Sequence, residues 1–401
     1  MTLMTNTRTQ KDLHSPRASE PSGERPPVGS QRVSRSKKVA FVQTQAENAG
    51  AQEIARQLAH GAERNGWQAR QVFFFRRTEA FDDEDNVFFC ARQRPSSPFE
   101  ILKLFVELYK EFRRFAPDAV VTFQHYGNLI AAPVARLAGV RLIIANQVSS
   151  PELIADWVRR LDRWFGQIGF FDRIVVNSAT TETIYSSYPF AYTKRIVQID
   201  HGFCDKSAAM DKAEARRQLG LPPSGELLGC AARLQPVKQI DLAMRVLAIN
   251  HWQHLLVAGQ GPDLPRLEAL AVELGLTERV HFVGELDTPA MGVFLSALDC
   301  FVFPSAMETF GLAPIEAAQA GAPVVANDLE ALRDGLAVDG EPCALFVDAR
   351  DTAAFAAAVR RVCEDKALAG TLTARGRKLK ERFPLDKMVD DYMKLLEATP
   401  N

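Results

Sequence analysis

The sequence predicts an α/β protein built from two doubly wound domains that face a central cleft, and three observations lead to that expectation. Short apolar runs alternate with amphipathic ones from Lys38 onward. This rhythm of strand and crossover helix implies parallel sheets covered on both faces. The alternation stops at a Pro-containing joint near residues 205–225 and then starts afresh. With 401 residues, 47% of them hydrophobic, the chain can also fill two cores.

The elements follow in order. VAFVQTQ reads as a first strand. AGAQEIARQLAHGAERNGW reads as an amphipathic helix, with Ile54, Leu58 and Ala62 at helical spacing, and QARQVFFF as the second strand. Helix FEILKLFVELYKEFRRF then leads to strand DAVVTF, helix LIAAPVARLAG to VRLIIA, and a helical segment around Trp157 to Phe165 to DRIVVNS. RIVQI closes this half and ends in Asp200-His201-Gly202. Beyond the joint come ELLGCAARL, HLLVAGQG, RVHFVGEL, DCFVFPS and PVVAND, spaced by helices such as IDLAMRVLAI and LPRLEALAVELG. The expected organisation is a basic disordered tail at 1–37, a first domain at 38–205, a second at 206–380 and a C-terminal helix at 381–401 that crosses back to the first domain. In such sheets ligands bind at strand C-terminal ends, so the cleft is where chemistry is expected.

Charge excludes one class of function. Lys and Arg number 48 against 49 Asp and Glu, a net −1, so no global basic field exists to hold nucleic acid. That near-neutrality is an average: residues 1–38 carry eight cations against three acids, +5, leaving −6 for the rest. The leading stretch is rich in Pro, Ser and Gly and too poor in apolar residues to offset its ordering entropy. No apolar run suits a secretory signal or a membrane span. Six scattered cysteines without C-x-x-C spacing fit core positions in a reducing cytoplasm.

The most informative stretch runs from Phe303 to Ala326. A buried strand ends at Pro304, a loop carries Glu308, and a helix begins near Phe310, Gly311 and Leu312, with Glu316 one turn inside it. The unpaired N–H groups at that helix start suit a phosphate, while carboxylates suit hydroxyls, so a sugar nucleotide would satisfy both. Arg233 and Lys238 follow the first strand of the second domain, where two cations would neutralise a departing diphosphate. Together with the Gly321-Ala322-Pro323 turn, the E-x7-E stretch resembles the retaining glycosyltransferases of the GT-B fold, glycosyltransferase family 4, whose domains are Rossmann-like. Arg233-x4-Lys238 is similar to that family's Arg-x4-Lys element, although Ala232 and Gln239 stand where glycines are usual. Gly259-Gln260-Gly261-Pro262 and the segment from Val280 to Leu286 resemble further family segments.

The resemblance implies transfer of a sugar from a nucleotide-diphosphate sugar to an acceptor hydroxyl with retention of configuration, as in polysaccharide or glycolipid synthesis for the cell envelope. It implies no cofactor, no essential metal and no covalent protein intermediate. Arg233 and Lys238 would hold the diphosphate, with donors from Phe310, Gly311 and Leu312. Glu308 would hold sugar hydroxyls, Glu316 the ribose, and main chain near Gly284 and Leu286 the base. In the first domain Gly50 would approach the donor phosphates and His125, just past DAVVTF, would lie near the transferred sugar. The acceptor would be a saccharide or a lipid-linked molecule, and the protein cytoplasmic.

Alternatives remain at this level. A GT-B-fold epimerase or hydrolase would cleave the same bond without an acceptor, and a non-catalytic member would only bind the nucleotide sugar. Asp82-Asp83-Glu84-Asp85 contains a D-x-D spacing that could hold a cation in a different fold, but reads as a solvated turn remote from the phosphate elements. The aromatic and basic mixture in QVFFFRR, VFFCARQR and the helix beginning at Phe99 reads as core packing, with peripheral contact at the cytoplasmic membrane face as its alternative.

Overall fold

A computed structural model describes residues 36–148, 154–208, 210–221 and 225–398. Apart from Ser36 and Lys37, the expected basic tail lies outside the described residues.

The first sheet contains β1 (Lys38–Ala46), β2 (Gln68–Arg76), β3 (Val87–Ala91), β4 (Ala119–Phe123), β5 (Leu142–Gln147), β6 (Arg173–Val176) and β7 (Ile196–Gln198). Their order is β3-β2-β1-β4-β5-β6-β7 and their pairings are parallel. The chain reverses its winding beside β1, so the loops after β1 and β4 open outward at the strand ends. Helix α1 (Gly50–Arg64) covers one face. On the other lie α2 (Pro98–Phe115), α3 (Gln124–Leu137), α4 (Asp156–Ile168), α5 (Ala179–Ser186) and α6 (Phe190–Thr193).

Sequence alternation explains this two-sided burial. Along β1, Ala40 and Val42 enter the core shared with α2 to α6, while Val39 and Phe41 enter the core against α1. Ser97 starts α2 with a reciprocal capping box to Glu100, followed by Pro98. Helix α3 starts at the end of β4 with no intervening loop, five residues earlier than the apolar run predicts. That puts His125 inside its first turn, preceded by Gln124 at φ +64°. Strand β3 and helices α5 and α6 lie where the sequence suggested no regular element.

The second sheet repeats the plan. Its strands are β8 (Glu226–Ala231), β9 (Gln253–Ala258), β10 (Val280–Gly284), β11 (Cys300–Phe303) and β12 (Val324–Asn327). A two-residue hairpin of β13 (Ala337–Val338) and β14 (Glu341–Pro342) precedes β15 (Ala344–Val347). The sheet order is β10-β9-β8-β11-β12-β15, again parallel. Its helices are α7 (Lys212–Gln218), α8 (Ile240–Ile249), α9 (Leu264–Glu273), α10 (Thr288–Ala297), α11 (Leu312–Ala320), α12 (Glu330–Gly335), α13 (Thr352–Glu364), α14 (Lys366–Arg377) and α15 (Leu379–Arg382).

The last helix, α16 (Leu385–Glu397), leaves the second sheet and packs on α1. Met388, Val389, Tyr392, Met393 and Leu396 share a core with Ile54, Leu58 and Ala62. The Tyr392 hydroxyl donates to Asn146 Oδ1 at the end of β5. Among the described residues no helix is long and apolar enough to cross a membrane.

Two glycines make this crossing possible. A Cβ on Gly61 would come within 2.5 Å of Val389 Cγ1, and one on Gly202 within 2.6 Å of the Leu385 Cα and 2.7 Å of the Pro384 carbonyl. The second clash is with backbone, which cannot rotate away. Gly202→Ala is expected to destabilise the protein by about 1–3 kcal/mol through overpacking. Urea unfolding of the parent and variant checks this, and equal midpoints would refute it.

Candidate active site

A cavity of about 910 Å³ lies between the C-terminal ends of the two sheets, lined from both domains. Two helices begin at its floor. Helix α1 follows Ala49, and α11 follows Gly311, and neither start has a side-chain cap. The starts touch, since a Cβ on Gly50 would fall 2.2 Å from Leu312 Cδ1. Two sets of first-turn N–H groups and two positive dipole ends therefore converge on one volume, as anion sites do. Gly311 has φ +87°, and a Cβ there would also strike Leu332 Cδ2 at 2.4 Å. Glycine is thus favoured at Gly311 by its left-handed backbone, while the Leu332 side chain would have to move to admit a larger residue. Pro314, within the first turn, has no N–H to leave unpaired.

The cations stand on the loop after β8. Glycines on the neighbouring loop hold it in place: a Cβ on Gly259 would meet the Ala232 carbonyl at 2.0 Å, and one on Gly261 the Leu234 carbonyl at 2.1 Å. Leu234 N–H donates to the Gln260 carbonyl (2.9 Å). The G-Q-G-P segment therefore positions Arg233, a role legible only in three dimensions. A single 3₁₀ turn, Pro236–Lys238, then presents Lys238, and Ala306 N–H donates to the Val237 carbonyl (2.8 Å), tying this loop to the one that carries Glu308. Gln239 adopts φ +50°, the left-handed region that explains why glycine is usual there.

Each expected charge has a partner. Lys238 Nζ lies 2.6 Å from Glu308 Oε1. Arg233 Nη1 lies 3.3 Å from Glu47 Oε1, and Arg77 Nε is 3.4 Å from the other oxygen of the same carboxylate. Glu316, mostly buried, takes Lys206 Nζ at 2.6 Å. Burial raises Glu316 above the ordinary carboxyl value, with Lys206 opposing, and lowers Arg233 below the ordinary guanidinium value, with Glu47 opposing. Glu285, between Gly284 and Leu286, is raised by burial and then by Glu47, while the Asn48 backbone N–H bonds to it across the cleft.

The structure thus brings Gly50, Arg233, Lys238, Leu286, Glu308, Phe310, Gly311, Leu312 and Glu316 to one cavity. Gly284, at φ +74°, adjoins it and accepts the Gly259 N–H at 2.7 Å. His125 does not line the cavity. Its neighbour Gln124 does, while His125 is half-buried against Tyr126, with its ring centroid 4.5 Å away and burial lowering its pKa.

Other wall residues were not foreseen: Glu47, Lys206, Glu285 and His201. His201 is 4% exposed, bonds Asn177 Nδ2 at 3.1 Å and lies edge-on to Phe310. Its address was available, since D-H-G ends a strand just as Q-H-Y does. Two further expectations need correction. Cys204 is not a core residue but half-buried at the cavity wall, with Sγ 3.0 Å from Gln57 Oε1. The acidic run is not remote, since Asp83 and Glu84 border the cavity. Arg56 holds Glu84 at 2.7 Å and Arg76 pairs with Asp82. Among the described residues no group of three or more His, Cys, Asp or Glu side chains is placed to hold a metal ion.

With this geometry in hand, two family models divide the chain between them. Residues 49–203 match Glycosyltransferase Family 4 and residues 211–379 match Glycosyl transferases group 1. The chain belongs to the group 1, family 4 glycosyltransferases. Among curated relatives, the O-antigen biosynthesis glycosyltransferase WclY of Escherichia coli is 34% identical over 40% of this chain and 44% of its own length. A D-inositol 3-phosphate glycosyltransferase of Geodermatophilus obscurus is 32% identical over 55% and 51%. The chain spans about half the length of the curated relatives it matches. The structure of Anabaena Alr3699/HepE in complex with UDP and glucose superposes with TM-score 0.78 at 19% identity, over 90% of this chain and 100% of that one. This likeness establishes the two-domain GT-B fold.

His201 links folding stability to pH. Burial lowers its pKa to about 4, so the ring is neutral in the fold while the unfolded chain titrates near 6.5. Its stabilising contribution is whole above pH 6.5 and is lost as pH falls towards 4, by up to about 3 kcal/mol. Asp162, raised by burial to about 6, acts oppositely, because its contribution is lost as pH rises from about 4 to 6. His201→Asn removes only the first slope. Urea midpoints at pH 7 and 4.5 are expected to fall further in the parent than in the variant, and parallel falls would refute the assignment.

Proposed function

We propose that this glycosyltransferase moves a sugar from a nucleotide-diphosphate sugar to an acceptor hydroxyl, with retention at the anomeric carbon and without a metal, in cell-envelope polysaccharide or glycolipid synthesis. The observation that carries the proposal is the convergence of two uncapped helix starts with Arg233 and Lys238. A diphosphate is the ligand that needs all of these at once. The UDP named in the HepE structure and the O-antigen assignment of WclY support it.

Arg233, Lys238 and the N–H groups at the start of α11 stabilise charge that grows on the diphosphate as the glycosidic bond breaks. The acceptor oxygen forms its bond to the anomeric carbon on the same face, and its proton passes to the departing diphosphate oxygen. Glu308 binds sugar hydroxyls and orients Lys238. Glu316 binds the ribose, and the main chain from Gly284 to Leu286 faces the base. Gln124 and the neutral His201 border the sugar side. Six free cysteines fit a cytoplasmic site of action.

Nucleoside diphosphate release from UDP-, GDP- and ADP-sugars tests this reading when followed with and without candidate saccharide acceptors. Release that requires acceptor, unaffected by a chelator, and a product of unchanged anomeric configuration are expected. Release or epimerisation without acceptor would favour the hydrolase or epimerase alternative, and absence of binding would sink both. Arg233→Ala and Lys238→Ala are each expected to lower kcat by about 10²–10³-fold, the scale for loss of one electrostatic stabiliser.

A further inference from the structure

Thr309 stands between Glu308 and Phe310 in the second domain, yet it bonds the first domain twice. Its hydroxyl donates to the Val148 carbonyl just past β5 (3.2 Å), and its own carbonyl accepts the Ser178 hydroxyl (3.1 Å). We propose that Thr309 is a positioning residue for Glu308: by clasping the first domain it makes the orientation of that carboxylate depend on how the two domains meet. The inference rests on the reading of Glu308 as the group that holds sugar hydroxyls.

The loop that carries Glu308 is held at two places. Ahead of Glu308 it is bound to its own domain: Ala306 N–H donates to the Val237 carbonyl (2.8 Å) and Asn327 Nδ2 to the Ser305 carbonyl (2.9 Å), while the Ser305 hydroxyl donates to the Met307 carbonyl (3.1 Å). Behind Glu308, the two bonds of Thr309 go to the other domain. Glu308 is therefore suspended between an anchor in each domain, with Lys238 Nζ 2.6 Å from its Oε1. Releasing one end of so short a segment shifts the residue in the middle, and small shifts at a reacting sugar are costly.

Both seats of the clasp are firm. Val148 follows the buried Gln147, whose Nε2 donates to the Asp162 carboxylate (2.9 Å) and whose Oε1 accepts the Tyr185 hydroxyl (3.2 Å); the Tyr192 hydroxyl donates to the same carboxylate (2.9 Å). A buried polar cluster satisfied in this way fixes the end of β5 more uniquely than apolar packing does. Ser178 caps α5, accepting the Thr181 N–H (3.1 Å), which leaves its own proton for the Thr309 carbonyl. The Thr181 hydroxyl donates to Asn177 Oδ1 (2.9 Å), so the Asn177 amide is turned to donate to His201 Nε2 (3.1 Å). His201 lies in the segment joining the domains and is edge-on to Phe310, with ring centroids 5.1 Å apart. The contacts thus leave the loop at Thr309 and return to it at Phe310.

The side chain itself supplies the test. Valine has the branched shape of threonine without the donor, and serine keeps the donor without the branch. Steady-state transfer by the full chain, with whichever of UDP-, GDP- and ADP-sugars the parent uses, is compared with binding of the matching free nucleoside diphosphate. Thr309→Val is expected to lower kcat about three- to tenfold, the scale of one hydrogen bond, with nucleoside diphosphate affinity within about twofold of the parent, because that ligand lacks the sugar. Thr309→Ser is expected to restore most of the rate. In a Glu308→Gln background, Thr309→Val is expected to cost about twofold or less, since a residue that acts through Glu308 then has nothing to position. Parent-like kcat in Thr309→Val, or its full loss repeated on top of Glu308→Gln, would overturn the proposal. Parent-like thermal melting shows that each variant folds, and Thr309→Ala takes the place of valine if that variant melts early. A parent that transfers no sugar defeats the reading of the site instead. Hydrogen exchange of the ligand-free protein then judges the clasp alone: amides from Ala306 to Gly311 are expected to exchange roughly threefold faster or more in Thr309→Val, and unchanged exchange refutes it.

Discussion

The constraint on which the site depends is that two uncapped helix starts, at Gly50 and Leu312, open on one cavity. Two helices from different domains start side by side here, and the absence of a side chain at Gly50 leaves room for the Leu312 Cδ1 methyl between them. The interaction is steric in origin and electrostatic in result. Each helix start carries about half a positive charge, and bringing two together in a partly enclosed cleft is unfavourable until a negative group lies between them. An anion bound between the two starts would relieve that repulsion.

The protein manages the same problem with side chains. Arg233 and Lys238 do not wait bare: each faces a carboxylate, Glu47 across the cleft and Glu308 within the second domain. An ion pair held at low exposure keeps both members charged and oriented, where a lone cation would suffer the full cost of desolvation. A diphosphate donor of the kind proposed above would therefore exchange partners with Glu47 instead of filling an empty socket. Affinity for such a donor would be the difference between two similar interactions, and the Glu47 partner comes from the opposite domain. Binding and the fit between domains are thus linked through one carboxylate.

Much of the fold was legible because strand and helix periods differ so clearly along β1, β4, β8 and β11, whose runs are apolar on both faces. Strand β3 was missed because it is short and lies at the sheet edge, its VFFCA reading equally well as an aromatic surface. Helices α5 and α6 lack a long apolar stripe and depend on Tyr185 and Tyr192, whose burial is fixed by neighbours. At the site, Arg233, Lys238, Glu308 and Glu316 could be found because two cations and two acids at strand ends have few other uses. Glu47, Lys206 and Glu285 could not, since a lone acid or lysine near a turn looks like ordinary solvated charge until its partner from the other domain is known. His125 and His201 carried the same signal, and only the packing of α3 decided which one reached the cavity.

The crossing of α16 has a consequence for how the protein comes into being. Besides its own sheet, α1 is covered by residues near 388–396, so this layer stays incomplete until the chain has passed through the entire second sheet. On a ribosome, α1 would wait without the cover that Val389 gives it at Gly61 through synthesis of more than half the protein. The two halves mature together, because the first is completed only when the last helix closes back on it.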